Sequence, residues 1–127
     1  MTKPVSVLIN DRYEYAVEDF EILGGTVTVV TVPHEDIVVE FDIPEEIAPE
    51  EFAGAVRELN LNSRMGILLS GKMPVWGWGI VVHIVHVTTY IAILDPCLGG
   101  CVVVMVRPDE KQVKVGQVLR IPGLSLG

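Results

Sequence analysis

Residues 73–94 contain no Asp, Glu, Lys or Arg, and this uncharged run of 22 residues limits the possible folds more than any other feature. As one continuous helix, a run of this length would be long enough to span a membrane. However, Gly77 and Gly79 interrupt it, and two histidines, His83 and His86, would be costly in lipid. We therefore predict a buried helix, a turn and a buried strand instead of a membrane span.

Short β-branched runs predict strands on both sides of two helices. Residues 26–32 and 37–43 are separated by a four-residue turn, which indicates an antiparallel pair. A helix is predicted from Pro49, because the first helical turn accepts Pro and an apolar stripe follows. A second helix is predicted from Pro74 to His86. The remaining predicted strands are at 5–10, 13–23, 65–70, 89–95, 101–107 and 117–122.

The order of these elements predicts an α+β fold in which the helices cover one face of the sheet. Strands come first, then helix, strand, helix, and two further strands. The strands at 89–95 and 101–107 are expected to form a hairpin across the short turn between them. The length of 127 residues fits one domain, and the hydrophobic fraction of 50% is enough to form a core.

Charge is divided unevenly between the two halves of the chain. Residues 1–60 carry 14 acidic and 3 basic side chains, whereas residues 61–127 carry 3 acidic and 6 basic ones. The net charge of −8 disfavours nonspecific binding to DNA, and an anionic ligand is expected on the second half. The first residues lack a signal peptide's apolar stretch, so a cytoplasmic location is expected. Cys97 and Cys101 are interpreted as small turn and strand residues.

The segment GILLSGK, residues 66–72, matches the pattern G-x4-G-K of a P-loop. A P-loop needs Ser or Thr next to ligate magnesium, but Met73 stands there, so this function is excluded. What remains is a turn of Ser70, Gly71 and Lys72 that leads from a strand end into a helix start. Backbone N–H groups and one cation at such a turn favour a phosphate site. The alternative is that Gly71 only shapes the turn and Lys72 is solvated.

His83 and His86 are three residues apart, which places both on one face of a helix. Asp95 ends the next predicted strand. Two histidines and one carboxylate suit Mn²⁺, Fe²⁺ or Zn²⁺ with positions open for water and substrate. The alternative is that the histidines are hydrogen-bonded structural residues and that Asp95 caps the Asp-Pro turn.

The order and spacing of these motifs resemble the Csx-three (Crn-three) family of type III CRISPR-accessory proteins. The resemblance is close over residues 66–104 and looser back to about residue 26, and residues 1–25 look like an N-terminal addition. The residues that carry it are Ser70, Gly71, Lys72, Pro74, Val75, Trp76, His83, His86, Asp95, Pro96, Leu98 and Gly99.

The resemblance implies a single domain of residues 1–127 whose core, residues 26–127, is a ferredoxin-like antiparallel sheet. It implies a homodimer, or a tetramer once ligand is bound. The implied activity is that of a Mn²⁺-dependent ring nuclease, with another divalent metal as an alternative. Its substrate is cyclic tetra-adenylate, the second messenger of type III CRISPR defence, and cleavage switches off the effectors. The alternatives are a non-catalytic cyclic-oligoadenylate binding protein and a Mn²⁺-dependent exonuclease acting on short RNA tails.

The resemblance also implies roles for individual residues. His86 and Asp95 are the implied catalytic pair, and His83, His86 and Asp95 are the implied metal ligands. Phosphate binding is implied for Ser70, Gly71 and Lys72. Cys97 stands where the family often has Arg.

Overall fold

The computed structural model describes residues 16–31, 37–61, 66–85 and 88–120. Each predicted helix and each predicted strand within these ranges is present, whereas the strand predicted at 5–10 lies outside them. The elements are β1 (Ala16–Ile22), β2 (Gly25–Thr31), β3 (Ile37–Asp42), α1 (Pro49–Leu59), β4 (Gly66–Lys72), α2 (Val75–Ile84), β5 (Tyr90–Asp95), β6 (Gly100–Val106) and β7 (Val118–Leu119).

The strands follow chain order across one seven-stranded sheet. Pairing is antiparallel for β1–β2, β2–β3, β5–β6 and β6–β7, and it is parallel for β3–β4 and β4–β5. The α+β class, the mostly antiparallel sheet and the predicted β5–β6 hairpin are therefore confirmed. In a ferredoxin-like domain, another strand lies in the sheet between the two parallel strands that each helix connects. Here α1 connects β3 to β4 and α2 connects β4 to β5, and in both cases the two connected strands are adjacent in the sheet.

The described part of the predicted N-terminal addition belongs to the same sheet. Ala16 pairs with Thr31, and the register continues to Ile22 opposite Gly25. The Thr28 hydroxyl also donates a hydrogen bond of 2.7 Å to Asp19 Oδ1 across this pair. The described part of the addition thus adds strand β1 to the sheet, and the division of the domain at residue 25 stays a prediction.

Both helices pack on one face of the sheet, as predicted. The opposite face carries a second apolar cluster that includes Val30, Val38, Leu68 and Ala92, and this cluster has no residue from α1 or α2. The buried residues on the helix-covered face include Phe41, Ile67, Leu69 and Ile91 from the strands, together with Phe52 and Val56 from α1 and Val81 from α2.

Four aromatic rings join α1, α2 and β3. The Phe41 ring lies 6.3 Å from that of Phe52 and 6.4 Å from that of Trp78, both edge-on. The Trp76 ring lies 5.9 Å from that of Phe52. Edge-to-face pairs of this kind contribute about 0.5–1.5 kcal/mol each beyond their buried area. They hold the first turn of α2 against the end of β3.

Within the uncharged run the structure describes helix α2 and strand β5, as predicted. Helix α2 has only 10 residues, and no helix in the described ranges is long and apolar enough to cross a membrane. Gly77 is buried in α2, and a Cβ atom there would lie 2.6 Å from the Met73 sulfur. A side chain at position 77 would therefore require the Met73 side chain to move.

Gly71 lies directly opposite Phe41 in the pairing of β4 with β3. Its φ is +107°, and a Cβ atom at this position would lie 1.9 Å from the Phe41 carbonyl oxygen. Both the backbone angle and the lack of space exclude a side chain. Gly71 therefore allows β4 to leave the sheet toward the start of α2.

The pair Gly71→Ala and Gly54→Ala tests this close approach. We expect Gly71→Ala to lower the free energy of unfolding by at least about 2 kcal/mol, because it adds strain and a clash. Gly54 lies in α1, where an added Cβ atom would meet nothing within 4 Å, so Gly54→Ala is expected to raise stability by up to about 1 kcal/mol. Urea denaturation measures both. Equal effects of the two substitutions would contradict the packing described for Gly71.

Candidate functional site

The three parallel strands at the centre of the sheet end on the same side. β3 ends at Asp42, β4 at Lys72 and β5 at Asp95, and we call this side the carboxyl edge. In sheets with parallel strands, ligands commonly bind just outside the carboxyl ends of the strands. The topology thus brings together two residues that the sequence predicted for function, Lys72 and Asp95.

Lys72 and the start of α2 lie next to each other at the carboxyl edge. The Lys72 side chain is exposed, and its carbonyl oxygen accepts a 2.9 Å hydrogen bond from the backbone N–H of Ile43. Helix α2 begins three residues later, at Val75, and Pro74 supplies no side-chain cap. An exposed cation beside an uncapped helix start favours an anionic ligand.

Ser70 differs from its two neighbours in the predicted phosphate site. The residue is 5% exposed, and its hydroxyl has no hydrogen-bond partner in the part of the chain that the structure describes. It follows Leu68 by two residues along β4, so its side chain lies on the helix-free face. The structure therefore brings Lys72 and the Gly71 backbone to the surface, but not the Ser70 hydroxyl.

Asp95 caps the turn that follows it. Its Oδ1 accepts hydrogen bonds from the backbone N–H groups of Cys97, at 2.9 Å, and Leu98, at 3.3 Å. The turn closes with a 3.1 Å bond from the Leu98 N–H to the Asp95 carbonyl oxygen. The capping role that the sequence offered as an alternative is thus present. It occupies one carboxylate oxygen and fixes the side chain at the carboxyl edge.

A guanidinium group reaches this turn from a distant part of the chain. Arg120, directly after β7, donates from Nη1 to the carbonyl oxygens of Leu98 and Gly99, the latter at 2.8 Å. Gly99 has a φ of +69°, and a Cβ atom there would lie 2.8 Å from Arg120 Nη1. Cys97, which stands where the family often has Arg, supplies no cation to this turn. Among the described residues, Arg120 contacts the turn with a cationic group.

His83 is not brought to Asp95 within one chain. It lies exposed in the last turn of α2, and α2 runs from the end of β4 back toward the start of β5. Asp95 is at the other end of β5, a strand of 6 residues that spans about 17 Å. The two side chains therefore lie toward opposite edges of the sheet. His86 lies outside the described residues, so the full predicted triad stays a prediction.

The described residues of one chain do not fit a preassembled metal centre. Within those ranges, no three His, Cys, Asp or Glu side chains are close enough together to hold a metal ion. Asp95 is at the carboxyl edge and His83 is remote from it, so two of the three predicted ligands are separated.

A cleft opens at the carboxyl edge beside Lys72. Its volume is about 650 Å³, and three backbone segments and one aromatic side chain line it. The β1–β2 turn contributes Gly24 and Gly25, the segment after β3 contributes Glu45, and Lys72 and Trp78 complete the wall. This volume is within the range of small-molecule sites.

Sequence reasoning missed Arg120 and this cleft. Arg120 is 21 residues from Gly99 along the chain, and only the β6–β7 pairing of Cys101 with Leu119 brings it near. Trp78 packs against the core, and it also lines the cleft. The pair Gly24–Gly25 was the one sequence signal for the cleft, since it predicts a turn, but it does not indicate which other segments of the chain lie opposite that turn.

Comparison with known proteins agrees with the motif resemblance. Residues 40–120 match the family model of CRISPR-associated protein (Cas_csx3). An uncharacterized protein from Aquifex aeolicus (strain VF5) is 33% identical over 101 residues, which is 76% of this chain and 87% of the relative's length. The family match includes the whole carboxyl edge, from Asp42 to Arg120.

Arg120→Ala tests the tie between the C-terminal strand and the turn. We expect it to lower the free energy of unfolding by about 1 kcal/mol, because two hydrogen bonds from a charged donor are lost at an exposed site. Amide hydrogen exchange should become faster at Cys97 and Leu98. The control is Arg107→Ala, which removes the same charge and an exposed ion pair with Asp109 of 3.4 Å, worth at most about 0.5 kcal/mol. If both variants behave alike, Arg120 does not hold the turn.

Proposed function

The chain belongs to the CRISPR-associated Csx3 family, and from this premise we propose that it is a metal-dependent ring nuclease that cleaves cyclic tetra-adenylate. Cleavage would remove the second messenger of type III CRISPR defence and so switch off its effectors. The ligand is a ring of phosphodiesters, so the site must hold several negative charges and keep one scissile bond in position.

The observation that carries this proposal is the composition of the carboxyl edge. Lys72 is an exposed cation there, the start of α2 presents backbone N–H groups, and Asp95 ends the neighbouring strand. Lys acts on phosphate as a point charge, and a helix start adds a partial positive charge. These groups support binding of a phosphodiester at this edge.

The charge distribution supports the same location. Residues 61–127 hold six of the nine basic side chains and only three of the 17 acidic ones. Arg120 adds a second cation at the turn after β5, where its Nη1 is bound to two carbonyl oxygens. An anionic ring at this edge therefore has one cation at the end of β4, Lys72, and a second at the turn after β5, Arg120.

We assign catalysis to His86 and Asp95, with His83 in support, on the strength of the family resemblance. Mn²⁺ is the proposed cofactor, and the described residues of one chain do not by themselves gather its ligands. Asp95 has a chemical role available beyond its capping role. Its second carboxylate oxygen is not used in the hydrogen bonds to Cys97 and Leu98.

The separation of His83 from Asp95 supports a homo-oligomer. If both residues act on one ring, a second copy must present one of them, and a ring of four identical nucleotides has the symmetry to bind equivalent patches. We propose a homodimer that becomes a tetramer on the ring. Sedimentation with and without cyclic tetra-adenylate tests this, and a monomer under both conditions would rule it out.

A second candidate is a protein that binds the ring without cleaving it. This function is favoured by the separation of His83 from Asp95 in one chain and by the capping role of the Asp95 carboxylate. A binding protein needs the cations and backbone groups of the carboxyl edge, but no assembled catalytic centre. The two candidates differ only in turnover.

The central experiment is cleavage of cyclic tetra-adenylate with and without Mn²⁺. We expect the wild type to cleave the ring only with the metal, and His86→Ala and Asp95→Asn to lower the rate by at least about 100-fold. Asn is able to cap the same turn, so Asp95→Asn should stay within about 0.5 kcal/mol of wild-type stability. The loss would then be chemical and not structural.

Asp109→Asn is the matched control, because Asp109 is an exposed acid in the loop after β6 and should keep full activity. Binding without turnover at every Mn²⁺ concentration would establish the second candidate. Parallel reactions with cyclic tri- and hexa-adenylate and with short RNA identify the substrate class. Full activity in Asp95→Asn would refute the catalytic assignment.

A further inference from the structure

We propose that the cleft beside Lys72 binds one nucleotide unit of the ligand, with an amino-bearing base such as adenine against Trp78 and its amine at Glu45. This inference rests on the proposed function and adds to it the recognition of the base. It assigns specificity to residues outside the motifs that carry the family resemblance.

The aromatic wall of the cleft is held in place by the core. Trp78 is half-buried in α2, and its ring lies edge-on to that of Phe41 at 6.4 Å and 77°. The ring therefore contributes to the cleft without needing to be ordered by the ligand. Stacking of a base on such a ring is worth about 1–3 kcal/mol in proteins that bind single-stranded nucleic acids.

Three glycines line the cleft, and two of them allow close contacts between the strands that form it. A Cβ atom on Gly25 would lie 2.2 Å from the Asp42 carbonyl oxygen, and one on Gly71 would lie 1.9 Å from that of Phe41. Gly24 has a φ of +79° in the same β1–β2 turn. Gly25 and Gly71 therefore allow β2 and β4 to pack directly against the end of β3, and this packing fixes the walls of the cleft opposite Trp78.

The charges of the cleft select a ligand with two chemically different ends. Lys72 is the one basic residue that lines it among the described residues, whereas Asp42 and Glu45 line it as acids. Two carboxylates would repel a bare phosphate, whereas the exposed Glu45 carboxylate is able to accept hydrogen bonds from an amino group or a ribose hydroxyl. A nucleotide meets both demands, with its phosphate at Lys72 and a donor at Glu45.

The exocyclic group of the base makes the inference specific. Adenine carries an amino group at C6, which donates to a carboxylate at that position. Hypoxanthine carries a carbonyl oxygen at C6, which the same carboxylate repels, and its nearest donor is the N1–H. Glu45 is exposed and follows β3 by three residues, so it is positioned at the mouth of the cleft. The cleft should therefore prefer adenosine monophosphate over inosine monophosphate.

The test titrates both monophosphates into a Trp76→Phe variant, in which Trp78 is the remaining tryptophan of two. We expect adenosine monophosphate to quench the fluorescence of Trp78 saturably. Inosine monophosphate should bind at least about tenfold more weakly. Glu45→Gln should bring the two affinities within about threefold of each other, because an amide donates as well as accepts. If Trp76→Phe fails to fold, the Trp78 indole N–H resonance of the wild type gives the same readout.

Glu46→Gln is the matched control, because Glu46 is an exposed neighbour that does not line the cleft, and it should leave the preference unchanged. No response of Trp78, equal affinity for the two ligands, or the same loss in both Gln variants would overturn the inference. Because binding is read without turnover, failure of ring cleavage leaves this result intact. Cleavage without a Trp78 response would refute the cleft alone.

Discussion

The site depends on the parallel pairing of β4 with β3 on one side and β5 on the other. Parallel strands end on the same side, so Lys72 and Asp95 share an edge although 23 positions separate them in the sequence. Each crossover needs a helix, and the second helix begins at that same edge. One topological fact thus brings together a cation, a helix start and a carboxylate.

Two local features keep this edge in shape. Gly71 allows β4 to approach the Phe41 carbonyl oxygen more closely than any residue with a side chain would. The aromatic rings of Phe41 and Trp78 then hold α2 over the end of β3. On the other side of the edge, Arg120 ties β7 to the turn that Asp95 caps. The same contacts that stabilise the fold therefore also set the positions of the ligand-facing groups.

Local sequence patterns predicted the helices and strands, whereas the features that they did not predict depend on contacts between residues far apart in the sequence. The β-branched residues 26–31 and the Pro at the first turn of α1 act within a few positions, so strand and helix were readable. The position of β4 between β3 and β5 was not readable, because the strand propensity of a segment is the same whatever strands lie beside it. The burial of Ser70 has no local sequence signal, because it depends on what covers the helix-free face of the sheet. The distance of His83 from Asp95 follows from the order β4, α2, β5, because α2 ends near the start of β5 and Asp95 lies at the other end of that strand.

Mapping where cyclic tetra-adenylate binds tests most directly whether the carboxyl edge is the ligand site. In ¹⁵N-labelled Asp95→Asn protein, which keeps the ring intact, cyclic tetra-adenylate should shift the amide resonances of the carboxyl edge. The largest changes are predicted at Gly71, Lys72 and Trp76, and in the turn at Leu98. Changes centred on Tyr90 at the opposite edge, or on the helix-free face around Val38, with Gly71 and Lys72 unmoved, would contradict the account.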